Sequence, residues 1–202
     1  MDALDFFLVQ HARLHSADVA EAEGGSFADR VFGGLSDDQM RLRPAKGLNS
    51  LAWLLWHMAR AEDATVSLVI AAEPQVLDDG WLRRLAVSRR DIGTAMTEAE
   101  VAELSESIDL AAARAYRSAV GRRAREIAAR LPPARWAEAI APADTERMLA
   151  QGALSPKAEW VAKIFQKRTR GGLLGSIAIT HTATHLGEAT CVRSQAGLGL
   201  GA

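Results

Sequence analysis

Cysteine is almost absent from this sequence, in which Cys191 is the one thiol among 202 residues. A single thiol cannot form an internal disulfide, so the class of small disulfide-stabilised domains is excluded. Aromatic residues are also scarce, at 5% of the chain, and runs of β-branched residues are few. Because sheets favour β-branched and aromatic side chains whereas Ala and Leu favour helices, the composition predicts a helical protein.

The sequence also lacks an excess of either charge and any long apolar run. Lys and Arg number 24 against 25 Asp and Glu, which gives a formal net charge of −1. This balance does not provide the positive surface expected of a nucleic-acid-binding protein. No stretch reaches the ~20 apolar residues of a membrane span, and the first residues lack a secretory signal pattern. We therefore expect a cytoplasmic protein that binds neither nucleic acid nor membrane.

Apolar residues recur at helical spacing in four long segments, which short capped pieces and loops separate. The segments are residues 3–22, 49–72, 109–131 and 171–197. A chain of this length is expected to form one domain, spanning 1–202. The sequence thus predicts an all-α fold, namely an antiparallel four-helix bundle with additional short helices in the crossovers.

Three histidines on the apolar faces of these segments form the first candidate site. His181 and His185 are four residues apart, so their imidazoles lie on one helix face and can reach one point. His57 projects from the apolar face of the second segment, and metal sites in helical bundles form from facing helices. We expect a divalent metal about 2.0–2.2 Å from all three, with a position left open for substrate. Satisfied core histidines are the alternative.

Other metal-site patterns are missing from the sequence. No histidine has Glu three residues before it, as a di-metal carboxylate bundle requires, and the His-Glu-x-x-His motif of zinc proteases is absent. His11 and His15 form a second pair at metal spacing. Because five imidazoles exceed the tetrahedral demand of zinc, we expect His15 at most to approach the site and neither to be a direct ligand.

Further residues receive an expected role from their position alone. Glu188 lies three residues after His185 and is a candidate proton-transfer group or hydrogen-bond acceptor for that ligand, unless it is simply exposed. Cys191 is expected to be a buried, inert thiol. Arg60 and Asp63 lie opposite the apolar stripe of the second segment. The arginines of the 73–96 connection form either a solvated face or a grip on an anion; they are Arg83, Arg84, Arg89 and Arg90.

Two motifs resemble the DinB-like superfamily. Residues 49–63 read NSLAWLLWHMARAED, and residues 181–188 read HTATHLGE. The likeness spans nearly the whole chain and is greatest to actinobacterial-type members related to mycothiol-dependent maleylpyruvate isomerase-like proteins. It implies a four-helix bundle in which His57, His181 and His185 hold a divalent metal, zinc or nickel before iron or manganese. It also implies activity with a low-molecular-weight thiol such as mycothiol.

Two classes of function follow. One is a metal-dependent enzyme that acts on a small-molecule substrate, either as a thiol-dependent transferase or isomerase or as a hydrolase that uses water. The other is a non-catalytic protein that binds a metal or small ligand. The resemblance favours the thiol-dependent enzyme, and the sequence leaves a homodimer open. A coordination position that faces a pocket would distinguish an enzyme from a closed histidine cluster.

Overall fold

The computed structural model describes residues 1–201, and within that range it is all-α, with no strand beyond an isolated bridge between Ala139 and Thr169. The α-helices are α1 (Ala3–Leu14), α2 (Phe27–Phe32), α3 (Asp37–Arg41), α4 (Leu51–Asp63), α5 (Asp79–Leu85), α6 (Glu98–Ser107), α7 (Leu110–Arg130), α8 (Pro133–Trp136), α9 (Pro142–Ala150), α10 (Trp160–Phe165), α11 (Arg170–Leu174) and α12 (Thr182–Gln195). The prediction of an all-α fold is confirmed.

Two of the long predicted helices each contain a π-helical stretch. Helix α4 continues without a break into a π-helix over Ala64–Ala71, and a second π-helix, Gly175–His181, joins α11 to α12. Each π turn holds more residues than an α turn because its hydrogen bonds span five residues rather than four. The second stretch ends on His181, so one of the predicted metal ligands lies at the point where the helix returns to α geometry.

Helix α4 lies at the centre of the molecule. It packs against α7 on one side and α12 on another, while α1 contacts α7, α12 and the Gly175–His181 stretch. All residues from Leu51 to Asp63 are buried. A helix that is buried all round needs apolar residues on every face or polar ones with partners, and α4 has both.

Arg60 and Asp63, which the sequence places opposite the apolar stripe of the second segment, are not exposed to solvent. Both are buried, because each finds partners inside the protein. Arg60 Nη1 lies 3.2 Å from Asp63 Oδ2, and the Tyr116 hydroxyl donates to the same oxygen at 2.6 Å. Asp63 also accepts the backbone N–H groups of Val76 and Leu77. This network attaches the loop that follows the π-helix to the end of α4.

The first helix is shorter than the predicted 3–22. Helix α1 ends at Leu14, and His15 is extended, with φ −98° and ψ 166°. Two of the short helices begin with capping boxes, at Ser36 with Gln39 and at Thr97 with Glu100. No helix within residues 1–201 is long and apolar enough to cross a membrane.

Candidate metal centre

The structure brings the imidazoles of His57, His181 and His185 together. The Nε2 atoms of His57 and His181 are 3.1 Å apart, and one ring nitrogen from each of the three lies within 4.8 Å of the others. The rings are tilted against one another, at 58° for His57 with His181 and 80–89° for the pairs with His185. Tilted rings can direct their in-plane lone pairs at one point from different sides.

Hydrogen bonds fix which nitrogen of two of these rings faces the cluster. His57 Nδ1 donates to the carbonyl oxygen of Ile92 at 2.5 Å, so its Nε2 has the free lone pair. His185 Nδ1 donates to Glu188 Oε2 at 2.7 Å, and Asn49 Nδ2 donates to Glu188 Oε1 at 2.8 Å. Partners of this kind are what orients metal-ligating histidines in proteins.

The surroundings keep His57 and His181 neutral. Burial, with the neighbouring His185, lowers the pKa of His57 to about 4, and burial with His57 and His185 lowers the pKa of His181 to about 3. Neutral imidazoles are the form that binds a metal. In the part of the chain that the structure describes, His181 Nδ1 is buried without a hydrogen-bond partner. That ring is therefore free to adopt the tautomer that a metal on Nε2 requires.

The donor set fits a divalent transition metal. Two ligands about 2.1 Å from a tetrahedral zinc are about 3.4 Å apart, close to the spacing of the first two Nε2 atoms. Three protein ligands leave at least one coordination position open. All three histidines line a cavity of about 510 Å³, so that position would face a space large enough for a small molecule.

A second cluster lies deeper in the protein, where Glu62 meets His11 and His15. All three side chains are fully buried. His11 Nε2 is 2.8 Å from Glu62 Oε1, and His15 Nε2 is 2.8 Å from Glu62 Oε2. The two rings are stacked, with centroids 4.1 Å apart and planes at 18°. Nearly parallel rings direct their Nε2 atoms side by side rather than at one point, so this geometry fits two N–H donors on one carboxylate better than it fits a metal.

Electrostatics in this second cluster favour an ionised Glu62 beside a neutral His15. Burial lowers the pKa of His15 to about 3, against the opposing effect of Glu62. Burial alone would raise the pKa of Glu62, but its contacts with His15 and His11 outweigh burial and hold that pKa below its usual range. Arg117 is also buried, and its Nη2 donates to the carbonyl oxygen of Leu14 at 3.0 Å. Burial lowers the pKa of Arg117 to about 10, with Glu62 opposing, so the guanidinium remains charged near the carboxylate.

The sequence did not predict Glu62. A Glu five residues after His57 falls off the apolar stripe, and its two partners are 47 and 51 residues away in the chain. The one available signal was that His11 and His15 sat on an apolar face without an assigned partner. Cys191 is exposed, so its predicted burial is wrong.

The four arginines of the 73–96 connection lie away from the histidines. Arg89 pairs with Asp91 and Glu100, and Arg90 pairs with Asp79. The Arg84 guanidinium lies 4.0 Å from the centroid of the Trp81 ring. None of the four lines the cavity at the histidines, within the described residues.

Comparison with known proteins identifies the fold and the family. Among solved structures, the chain is similar to a conserved protein from Enterococcus faecalis, with a TM-score of 0.61 and 17% identity over 96% of this chain and 94% of that one. This likeness shows the fold alone. No curated protein matches the sequence. Residues 28–189 match the DinB superfamily model, a range that includes all three histidines of the cavity. The chain belongs to the DinB superfamily.

Proposed function

We propose that this protein is a metal-dependent enzyme that uses a low-molecular-weight thiol to transfer or isomerise a small-molecule substrate. This proposal is supported by one observation: the imidazoles of His57, His181 and His185 lie together and line an open cavity. A closed histidine cluster would have fitted a structural metal better, because structural sites fill all coordination positions with protein ligands.

A bound divalent cation would supply one thing, a lowered pKa for a thiol or water at its open position. The residues of the protein hold and orient the ligands. His57 and His185 are oriented by Ile92 and Glu188, so neither ring has to turn when the ion binds. Asn49 lines the cavity and restrains Glu188 from the other side, which keeps that carboxylate on the ligand rather than in the cavity.

Among the described residues, the cavity has no acidic or basic side chain besides the three histidines, which favours the thiol-dependent reaction over hydrolysis. Glu188 is occupied by His185 and Asn49, and in the range 1–201 no Asp, Glu, Lys or Arg lines the cavity. A positioned general acid that passes a proton to the leaving group accelerates hydrolysis of an ester or amide. A thiol nucleophile first has to lose its proton, and a bound cation would promote that step by lowering the thiol pKa. Mycothiol is the cofactor that the family resemblance suggests.

The first test is the metal content of protein purified without a histidine tag. We expect about one divalent ion per chain, lost in His57→Ala and retained in Thr184→Ala, a matched control whose exposed side chain lies next to His185. Metal binding to the folded state also stabilises it, so His57→Ala should lower the melting temperature of the metal-loaded protein. An unchanged metal content in His57→Ala would contradict the assignment.

The second test is an activity screen of the metal-loaded protein with electrophilic substrates, with and without mycothiol. Turnover that depends on the thiol is expected. Equal turnover in both arms would replace the thiol-dependent reaction with hydrolysis by water. No turnover in either arm, with metal bound, would favour a non-catalytic binding protein.

A further inference from the structure

The walls of the cavity at the histidines are apolar and uncharged. Besides the three histidines, the polar side chains on it are Asn49 and Thr94, and among the described residues no charged side chain lines it. A ligand charge buried there would lose its hydration without gaining a counter-charge, which disfavours its binding. The cavity therefore selects against charged groups everywhere except at the metal position.

The indole of Trp53, a residue that is 6% exposed, lines the cavity beside the metal position. The Trp53 ring stacks on the His57 imidazole, with centroids 4.5 Å apart and planes at 14°. Trp53 Nε1 donates to the sulfur of Met96 at 3.2 Å, which fixes the ring at its outer edge. A ligand bound beside the metal position would contact this fixed indole.

The opening of the cavity has exposed apolar side chains that the fold does not use. Trp160 and Ile164 lie one turn apart on α10 and both line the cavity, yet they are 53% and 43% exposed. Val161 and Phe165 on the same short helix are buried and anchor it to the protein. Exposed large apolar residues beside a cavity typically mark a binding site.

We propose that the reactant bound beside the metal is an uncharged small molecule with a flat apolar body, and that Trp160 and Ile164 at the opening determine this specificity. The inference rests on the metal-dependent function proposed above. Any charged part of a reactant or thiol cofactor stays outside the cavity. The arginines of the 73–96 connection do not line the cavity and so cannot provide a counter-charge inside it.

The test compares three thiols that share a metal-binding sulfur but differ in the rest of the molecule. Zinc-loaded protein is titrated by calorimetry with phenylmethanethiol, with 2-mercaptoethanol and with 4-(mercaptomethyl)benzoate. We expect phenylmethanethiol to bind at least about tenfold more tightly than 2-mercaptoethanol, because burial of a phenyl ring stabilises the complex. The added carboxylate should weaken binding at least about fivefold relative to phenylmethanethiol.

Variants at the opening then assign the specificity to residues. Trp160→Ser and Ile164→Ser should each reduce phenylmethanethiol affinity about threefold or more and leave 2-mercaptoethanol unchanged. Leu149→Ser is the matched control, an apolar residue of similar exposure (39%) that does not line the cavity, and it should change neither affinity. If a variant does not fold, the comparison of the three thiols on the unaltered protein still tests the apolar specificity of the cavity.

The outcomes separate the two proposals. Equal affinities for the three thiols with zinc bound would overturn the apolar specificity and leave the metal-dependent function standing. Failure of the protein to bind zinc or another divalent ion would overturn the metal-dependent function, and the specificity with it. Tighter binding of the aromatic thiol that Trp160→Ser and Ile164→Ser do not reduce would overturn the role of the opening.

Discussion

At the scale of single residues, the protein uses histidine in two different ways. His57 and His185 give their Nδ1 protons to a carbonyl and a carboxylate, which leaves Nε2 free. His11 and His15 instead turn Nε2 towards the two oxygens of Glu62, which leaves Nδ1 without a partner inside residues 1–201. The first arrangement offers lone pairs to a cation, and the second stabilises an anion.

Glu62→Gln is expected to destabilise the protein strongly. An amide offers one acceptor oxygen instead of two, so one of the histidines loses its acceptor, and buried Arg117 loses a neighbouring negative charge. A buried hydrogen-bonding group left without its partner typically costs about 1–3 kcal/mol, and more where a charged partner is removed. Urea unfolding of the metal-free protein measures this loss.

Glu126→Gln is the control for that measurement. Glu126 is also a helical glutamate with an arginine partner, Arg123, but its side chain is 64% exposed. Exposed ion pairs contribute little to stability, so this variant should unfold at nearly the same urea concentration as the unaltered protein. A Glu62→Gln variant as stable as Glu126→Gln would mean that the buried cluster does not stabilise the fold.

Glu188→Gln is expected to weaken metal binding rather than folding. The amide can still accept from His185 Nδ1, but it lacks the negative charge that makes the ring a stronger donor to a metal. Loss of such partners typically reduces metal affinity about 10–100-fold. Competition with a chelating dye measures the affinity, with Glu146→Gln as an exposed control on another helix. Equal affinities in the two variants would remove Glu188 from the site.

At the scale of elements, α4 provides one residue of each buried polar cluster: His57 for the candidate metal site, Glu62 for the His11/His15 pair, and Asp63 for the network with Tyr116. The start of this helix is therefore a sensitive position. Ser50 Oγ accepts from the Trp53 N–H at 3.0 Å, and its own hydroxyl is 2.7 Å from Ser105 Oγ, which donates to Val101.

Ser50→Ala should cost about 2 kcal/mol of unfolding free energy, since it removes a helix cap and a buried hydrogen bond together. Ser36→Ala removes a comparable cap from the exposed five-residue helix α3 and should cost under about 1 kcal/mol. Thermal or urea unfolding of the two variants gives the comparison. If Ser36→Ala were the more damaging, the proposed importance of the α4 start would be wrong.

The helices and their starts could be predicted from the sequence because caps and apolar periodicity are local. Ser50 and Asp109 cap the helices at the starts of the second and third predicted segments. The convergence of His57 with His181 and His185 could be predicted because all three lie on the apolar faces of their helices. The end of α1 at Leu14 and the inward direction of Glu62 were not predictable, because both depend on contacts between residues far apart in the chain. The two histidine pairs look alike in sequence, and it is their ring planes and hydrogen-bond partners in the structure that separate them.

At the scale of the whole molecule, the buried histidines make stability depend on pH. The pKa values of His15 and His181 are lowered to about 3 and that of His57 to about 4, from an ordinary 6.5 in the unfolded chain. Between these values the unfolded state binds more protons than the folded state, so stability rises with pH and is lost as pH falls below about 6.5. The lowered pKa of Glu62 acts in the same direction below its ordinary value of 4.5.

The metal-free protein should therefore lose more than about 1.4 kcal/mol per pH unit on acidification from pH 6 to 4.5, the slope that one fully responding group gives. Urea unfolding across that range measures the slope. Bound metal excludes protons from its ligands, so the metal-loaded protein should resist acid to a lower pH. A flat stability profile between pH 6 and 4.5 would contradict the buried, neutral state of these histidines.

The π-helix at Gly175–His181 also determines where this chain tolerates a change of length. A residue removed from a regular α-helix rotates everything after it by about 100°, which turns buried side chains outward. The wide turns before His181 hold about one residue more than an α-helix needs, so a deletion there can be absorbed by a return to α geometry. Deletion of the exposed Thr180 should leave a folded protein, whereas deletion of the exposed Arg122 in regular α7 should not, as circular dichroism melting would show.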